Sequence, residues 1–532
     1  MNNKMTFAGV VVVLLGIVVV WALVRSRQAK PVTVPTGAKA GDLVLSSCEY
    51  KTKTAKYRAD CGTLVVPENR NNPGSRLIAL PVKRIHAVNP NPAEPIFYLN
   101  GGPGQSNMGF KPADWLLADH DVVLVGYRGA DGSPVLACPE VNRMIANPGG
   151  PAFGEEALGA IAAAMRACAD RLTAQGVDLD GYTIPEVVED VEAARTALGY
   201  ERIDLLSESY GTRVAQIYAY LHPGSLRRSA MLGVNPPGHF IWEPSVSDAQ
   251  LRQYSELCQQ DGACSARTPD LYASMMRVST NMPRSWLGLE IDPNKVKALS
   301  FMLLFHRSSA PMAFDAFLTA EAGDPSGLAL MSLVYDLMMP NAFNWGDLLS
   351  KGSIDYDLQR DYISSLQGQG TVLGAPAGLL IWGAGAQGWP MKNLPEEYSR
   401  VHPTDVETLL VNGSLDFSTP PQFGEQELLP SLRHGRLVIL AGQGHTGDFW
   451  QYQPEAARRL LTSFYDTGVA DASLYNTLPM DFKPSMRFST LAKVGAGTGV
   501  LLVVGLALAL GRAFRRRKVR GKGSPTTPVA GA

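Results

Sequence analysis

The sequence predicts an α/β protein: a mostly parallel sheet with helices on both faces, plus an inserted, mainly helical cap domain. Three observations predict it. Strand-like apolar runs alternate with amphipathic helical patterns over most of the chain, the rhythm of a sheet built by crossover helices. One apolar run, Ile203 to Leu206, stops at a small-x-Ser-x-Gly turn and passes straight into a helical pattern (Val214, Ala215, Ile217, Tyr218). The interval 238–403 breaks the rhythm. It is Met-rich and helical in pattern, with a Gly-rich patch at Leu373–Gly388, as expected of a domain inserted over the C-terminal edge of the sheet.

The elements follow in order. After six residues, Phe7 to Val24 is uncharged. Val494 to Gly511 is a second uncharged stretch, and each is about long enough to span a bilayer, which takes roughly 17–25 apolar residues. Flanking transmembrane helices are expected there, so the lipid bilayer is an expected partner; a buried core helix is the alternative. Arg512, Arg515, Arg516, Arg517, Lys518, Arg520 and Lys522 follow the second stretch with no acidic residue among them. The positive-inside rule puts the tail 512–532 in the cytoplasm and the body of the protein on the periplasmic or extracellular side. Arg25, Arg27 and Lys30 after the first stretch argue locally for the reverse orientation. A large folded domain is translocated largely regardless of flanking charge, and no small-x-small site follows the apolar run, so an uncleaved anchor is expected over a cleaved signal peptide. Residues 25–45 read as a linker.

The first part of the core is expected over 46–237, with strands at Thr63–Pro67, Arg76–Lys83, Pro95–Leu99, Asp121–Val125 and Arg228–Gly233 beside the one at Ile203. Helices are expected at Ala157–Leu172 and Pro185–Leu198; Val187, Val188, Val191, Ala194 and Leu198 fall on one face of the second. The second part, 404–475, carries strands at Thr408–Val411 and Arg436–Leu440 and a helix at Glu455–Tyr465. Residues 476–493 read as a linker to the second apolar segment.

Net charge is −1, and no basic stripe crosses the middle of the chain, so neither nucleic acid nor an acidic partner is indicated. The six cysteines are Cys48, Cys61, Cys138, Cys168, Cys258 and Cys264. Six allow fifteen connectivities; nearest-neighbour pairing closes three short loops, and an even count outside the cytoplasm favours disulfides over free thiols. There is no C-x-x-C, so no zinc or redox site is expected, and no metal or organic cofactor is called for.

The small-x-Ser-x-Gly turn is the setting of a nucleophile elbow. Its tightness demands small residues two before and two after Ser209, and Ser207 and Gly211 meet that demand. The elbow would expose Ser209 Oγ above the strand ends and put the Tyr210 N–H at a helix N-terminus, where it can hold an oxyanion. A chance Ser-x-Ser-x-Gly in a loop is the alternative. A serine nucleophile needs a base and the base an orienter. His445 follows the apolar run Leu437 to Leu440 in a Gly-rich loop, and Asp416 follows the run Leu409 to Val411; chain order is Ser, Asp, His. Asn100-Gly101-Gly102-Pro103-Gly104, just past an early strand, offers the second oxyanion donor: Gly102 N–H, with Gly101 the close alternative.

These motifs, with Tyr127-Arg128-Gly129-Ala130-Asp131-Gly132-Ser133 and Gly442-Gln443-Gly444-His445, resemble the α/β-hydrolase peptidases that include prolyl iminopeptidase and the tripeptidyl aminopeptidases. The resemblance runs from about Ser46 to Tyr465, apart from the cap. It implies the α/β-hydrolase fold, a Ser209–His445–Asp416 triad, and release of residues or short peptides from free N-termini. Asn100 and Glu208 stand where serine carboxypeptidases hold a substrate carboxylate, which gives the rival reading of those two residues; a buried structural acid is the other reading of Glu208. The 29-residue separation of Asp416 and His445 fits the aminopeptidases better. A carboxylic ester hydrolase on the same triad, acting on a small ester, is a further alternative, and a catalytically inactive membrane-tethered binding protein a second one.

Overall fold

The computed structural model describes residues 32–498, apart from 53–54 and 111–112. The expected segment 7–24, residues 499–511 of the second apolar stretch and the tail 512–532 lie outside the described residues. Among the described residues no helix is long and apolar enough to cross a membrane.

Strands β1 (Leu43–Lys51), β2 (Lys56–Pro67), β3 (Leu77–Ile85), β4 (Ala93–Leu99), β5 (His120–Val125), β6 (Ile203–Glu208) and β7 (Leu226–Leu232) precede the insertion. A two-residue hairpin, β8 (Ser285–Trp286) and β9 (Leu289–Glu290), lies within it, and β10 (Glu407–Gly413) and β11 (Gly435–Leu440) follow. Nine of them make one sheet in the order β1-β2-β3-β5-β4-β6-β7-β10-β11. The first three and the β3–β5 junction are antiparallel; from β5 to β11 every pair is parallel.

Chemistry explains the layout. All six residues of β5 and of β6 are buried, as in central parallel strands covered on both faces. Alternate residues feed opposite layers. Phe97, Val123 and Leu205 face a core closed by the helices Glu155–Ala174, Ile184–Ala197 and Tyr210–Leu221. Tyr98, Val122 and Leu206 face the other core, closed by Leu460, Leu461, Phe464 and Tyr465 of the helix Pro454–Thr467. The expected strands and helices of the sheet layer thus appear within about two residues of their expected bounds, except that β2 begins at Lys56, seven residues before the expected Thr63. The hairpin strand β1 was not expected; its residues alternate between half-buried and exposed, so it offers little apolar signal.

Between β7 and β10 the chain leaves the sheet. The helices Pro244–Gln260, Leu271–Thr280, Pro293–Leu303, Ala310–Glu321 and Ser326–Met338 pack around their own core of Leu251, Tyr254, Met275, Leu299, Phe317 and Met331. The later helix Trp345–Gly352 instead shares the sheet's core through Trp345, Leu348 and Leu349. The three disulfides join nearest neighbours: Cys48–Cys61, Cys138–Cys168 and Cys258–Cys264.

One expectation is corrected. Residues 476–493 are not a free linker: Met480, Phe482, Phe488 and Ala492 are buried against the helical insertion. Lys493 Nζ pairs with Asp324 at 2.5 Å. Four apolar side chains in one stretch supply enough buried area to hold the segment down, at roughly 1.5–3 kcal/mol for each large one.

Candidate active site

Ser209 sits between β6 and the helix Tyr210–Leu221 with φ 49° and ψ −119°. A non-glycine residue in that region stores about 1–3 kcal/mol of strain, which surrounding contacts must hold. They do. Ser209 N–H donates to Leu232 O at 2.8 Å. Ser207 is fully buried, and its hydroxyl donates to Ala230 O at 3.2 Å. Gly211 has no alternative, because a Cβ there would lie 2.2 Å from Leu99 O. Ser209 itself is half-buried.

Asp416 lies just past β10 and His445 just past β11, and the structure brings them together. His445 Nδ1–H donates to Asp416 Oδ2 at 2.8 Å, with Oδ1 at 3.0 Å. Asp416 is fully buried, as its acceptor duties allow: the N–H groups of Ser418 and Thr419 and the Thr419 hydroxyl all donate to it within 2.9 Å. With Nδ1 so occupied, Nε2 is the nitrogen left for chemistry. Ser209 and His445 flank the same dipeptide: Ser209 bonds to Leu232 O, and a Cβ on Gly233 would lie 2.9 Å from the imidazole Cε1. Burial works to lower the His445 pKa, but the charge and hydrogen bond of Asp416, helped by Glu208 and Asp448, outweigh it and raise the value above that of an ordinary imidazole.

Tyr210 opens its helix, so its N–H has no acceptor within that helix. The glycine loop lies against the elbow: a Cβ on Gly101 would come within 3.0 Å of Ser209 Cβ. Gly102 and Gly104 take φ values of 78° and 80°, a region glycine enters without penalty.

Asn100 and Glu208 are engaged inward, against a substrate-carboxylate site. Asn100 Nδ2–H donates to Ser106 O at 3.0 Å, and its Oδ1 lies 3.1 Å from the Tyr98 hydroxyl oxygen. Glu208 Oε1 accepts from that hydroxyl at 2.6 Å and from Trp450 Nε1–H at 3.1 Å. Burial raises the Glu208 pKa, more than its hydrogen bonds from Tyr98, Thr446 and Trp450 pull it down. These geometries make Glu208 a buried, hydrogen-bonded acid beside Ser209.

The loop carrying His445 is gripped by residues that no sequence pattern singled out. His445 N–H donates to Phe305 O at 2.6 Å, and the Phe305 ring meets the imidazole edge-on at 5.6 Å. Asp448 Oδ2 accepts from Gly444 N–H at 2.7 Å and from Arg307 N–H at 2.9 Å. Arg307 Nη1–H donates back to Gly442 O at 2.7 Å. Residues 305–307 belong to the insertion, so no local pattern around His445 points to them. Among the described residues no cluster of His, Cys, Asp or Glu could hold a metal ion.

Two family models match the chain: "alpha/beta hydrolase fold" over residues 94–255 and "TAP-like protein" over 381–474. The first span contains Ser209 and the glycine loop, the second Asp416 and His445. The tripeptidyl aminopeptidases of Streptomyces lividans and Streptomyces coelicolor are each 29% identical over 208 residues, 36% of this chain and 38% of theirs. The match thus spans well under half the length of these curated relatives. Among solved structures, a proline iminopeptidase from Mycobacterium smegmatis is 15% identical with a TM-score of 0.37, covering 76% of this chain and 97% of that one.

Proposed function

We propose, on the premise that the chain belongs to the α/β-hydrolase peptidases, that it is a membrane-anchored serine exopeptidase releasing residues or short peptides from free N-termini. The observation that carries the reading is the buried Asp416–His445 pair set beside a serine held in a left-handed turn. Ser209 Oγ attacks the substrate carbonyl while His445 Nε2 takes its proton. The Tyr210 and Gly102 N–H groups stabilise the oxyanion. The C–N bond then breaks, the leaving amine takes the proton from His445, and an acyl-enzyme ester remains. Water, deprotonated by His445, attacks that ester and restores Ser209. Asp416 fixes the imidazole tautomer and stabilises the imidazolium. The helical insertion acts as a cap over this site. The apolar segments 7–24 and 494–511 anchor the protein with its catalytic body outside the cytoplasm and the basic tail inside.

The test uses the full-length protein in detergent and a matched Ser209→Ala control. Unblocked, N-acetylated and C-amidated peptides are incubated with each, and products are read by mass spectrometry. Cleavage is expected only from free N-termini and only with Ser209 present. Trimming from free C-termini alone would restore the carboxypeptidase reading of Asn100 and Glu208. Ser209-dependent cleavage of esters but of no peptide would leave an esterase.

A further inference from the structure

The glycine loop is held at Gly104, and the group holding it comes from the insertion. Asp347, on the helix Trp345–Gly352, is fully buried, and its Oδ2 accepts from Gly104 N–H at 3.1 Å. The same stretch grips the other side of that residue, because Asn344 N–H donates to Gly104 O at 3.0 Å. Lys351, one turn on and also fully buried, donates from Nζ to Asp347 Oδ2 at 2.5 Å and to Arg128 O at 3.1 Å. Its ammonium stands 5.1 Å from the centre of the Tyr127 ring, whose hydroxyl donates to Asn100 O at the loop's other end at 3.0 Å.

We propose that Asp347 is a positioning residue for catalysis: through Gly104 it fixes the loop that presents the Gly102 oxyanion donor, so the helical insertion completes the catalytic geometry. The inference rests on the reading of Ser209 as nucleophile. A buried ion pair is a poor device for stability, since desolvation cancels most of its attraction, but its directional hydrogen bonds fix orientation. Burial pushes the Asp347 carboxyl up to about 6 against the pull of Lys351. Space around it is closed: a Cβ on Gly129 would lie 2.3 Å from Asp347 Oδ1 and one on Gly104 2.9 Å from Asn344 O. The loop has one seat, two residues from the donor it must aim. Misplacing a donor by about 1 Å costs on the order of a hundredfold in rate.

Two double variants isolate the bond without leaving a buried charge unpaired. Asp347→Asn with Lys351→Met keeps an acceptor for Gly104 N–H; Asp347→Leu with Lys351→Met removes it. Each full-length protein is reacted with a fluorophosphonate probe. The second-order labelling rate is read per folded molecule, with the folded fraction taken from thermal melts in the same buffer. The Asn/Met variant is expected within about threefold of wild type and the Leu/Met variant about 10- to 100-fold slower, as for loss of an aligned oxyanion donor. If the leucine does not fold, Asp347→Ala with Lys351→Met makes the same comparison. Equal labelling of the two doubles, or slowing only in proportion to unfolded protein, overturns the inference while leaving the nucleophile intact. Wild type that labels no faster than Ser209→Ala overturns the nucleophile reading and this inference with it.

Discussion

The sheet half and the helical insertion contribute to the site in opposite ways. The sheet carries Ser209, Asp416 and His445 one, three and five residues past the C-terminal ends of the parallel strands β6, β10 and β11. The insertion carries none of the three, yet it holds the loops on either side of them: Asp347 and Asn344 on the glycine loop, Phe305 and Arg307 on the base loop. A sheet edge gives coarse placement, because strand spacing is set by backbone hydrogen bonds. The last fraction of an ångström comes from side-chain and loop contacts made from elsewhere. Lifting the insertion away would undo the hydrogen bonds that Phe305 and Arg307 make to the His445 loop.

The strongest way to break this comparison is at the elbow. Ser209→Ala should abolish turnover, a loss on the order of 10⁴- to 10⁶-fold in kcat, with the melting temperature little changed. Ser209→Gly should be equally inactive but more stable by about 1 kcal/mol, because glycine relieves the strained φ; a denaturant titration checks it. Next comes Asp448→Ala. It strips the Gly444 and Arg307 N–H groups of their shared acceptor. It should lower kcat by about tenfold or more while KM moves less, with a stability cost of about 2–4 kcal/mol from two buried donors left unpaired. An unchanged kcat in folded protein would show that the sheet alone seats the base.

The pH profile sharpens the electrostatic side. The raised His445 pKa means the imidazole is protonated, and inactive as a base, up to a higher pH than usual. The acid limb of kcat/KM should therefore lie above the ordinary imidazole value of about 6.5. The anionic groups facing His445 are Asp416, Glu208 and Asp448, and each favours the imidazolium. Glu208→Gln removes one of them, so the limb should move to lower pH; movement upward would contradict the assignment. The smallest effect is expected within the insertion. Replacing Cys258 and Cys264 together by Ser opens a disulfide separated by only 6 residues. It should lower stability by no more than about 2–3 kcal/mol in a thermal melt and leave kcat unchanged, because short loops gain least from closure.

The parallel core was legible because its signals are local. Apolar runs such as Val122 to Val125 are buried on both faces, so they stand out without any knowledge of neighbours. The elbow, Asp416 and His445 were legible because a tight turn demands small residues at fixed offsets and chain order restricts the base and its orienter. Nearest-neighbour disulfides followed from chain proximity. Other features had no such mark. β1 alternates between half-buried and exposed residues and exists through its pairing with β2. Residues 476–493, polar enough to read as a linker, are ordered by four apolar side chains that find the insertion.

Asp347 and Lys351 show the limit most clearly. An acid and a base four apart on a helix are, on sequence, an exposed ion pair of small worth. Here both are fully buried, and one of them accepts from Gly104, 243 residues earlier in the chain. Local sequence decided which residues form strands, where the turn is tight enough to present a serine, and which side chains follow the strand ends. Which distant backbone groups those loops rest on depends on how the insertion folds back over the sheet. Those contacts have no sequence spacing, because they are set by distance through the packed interior and not by distance along the chain.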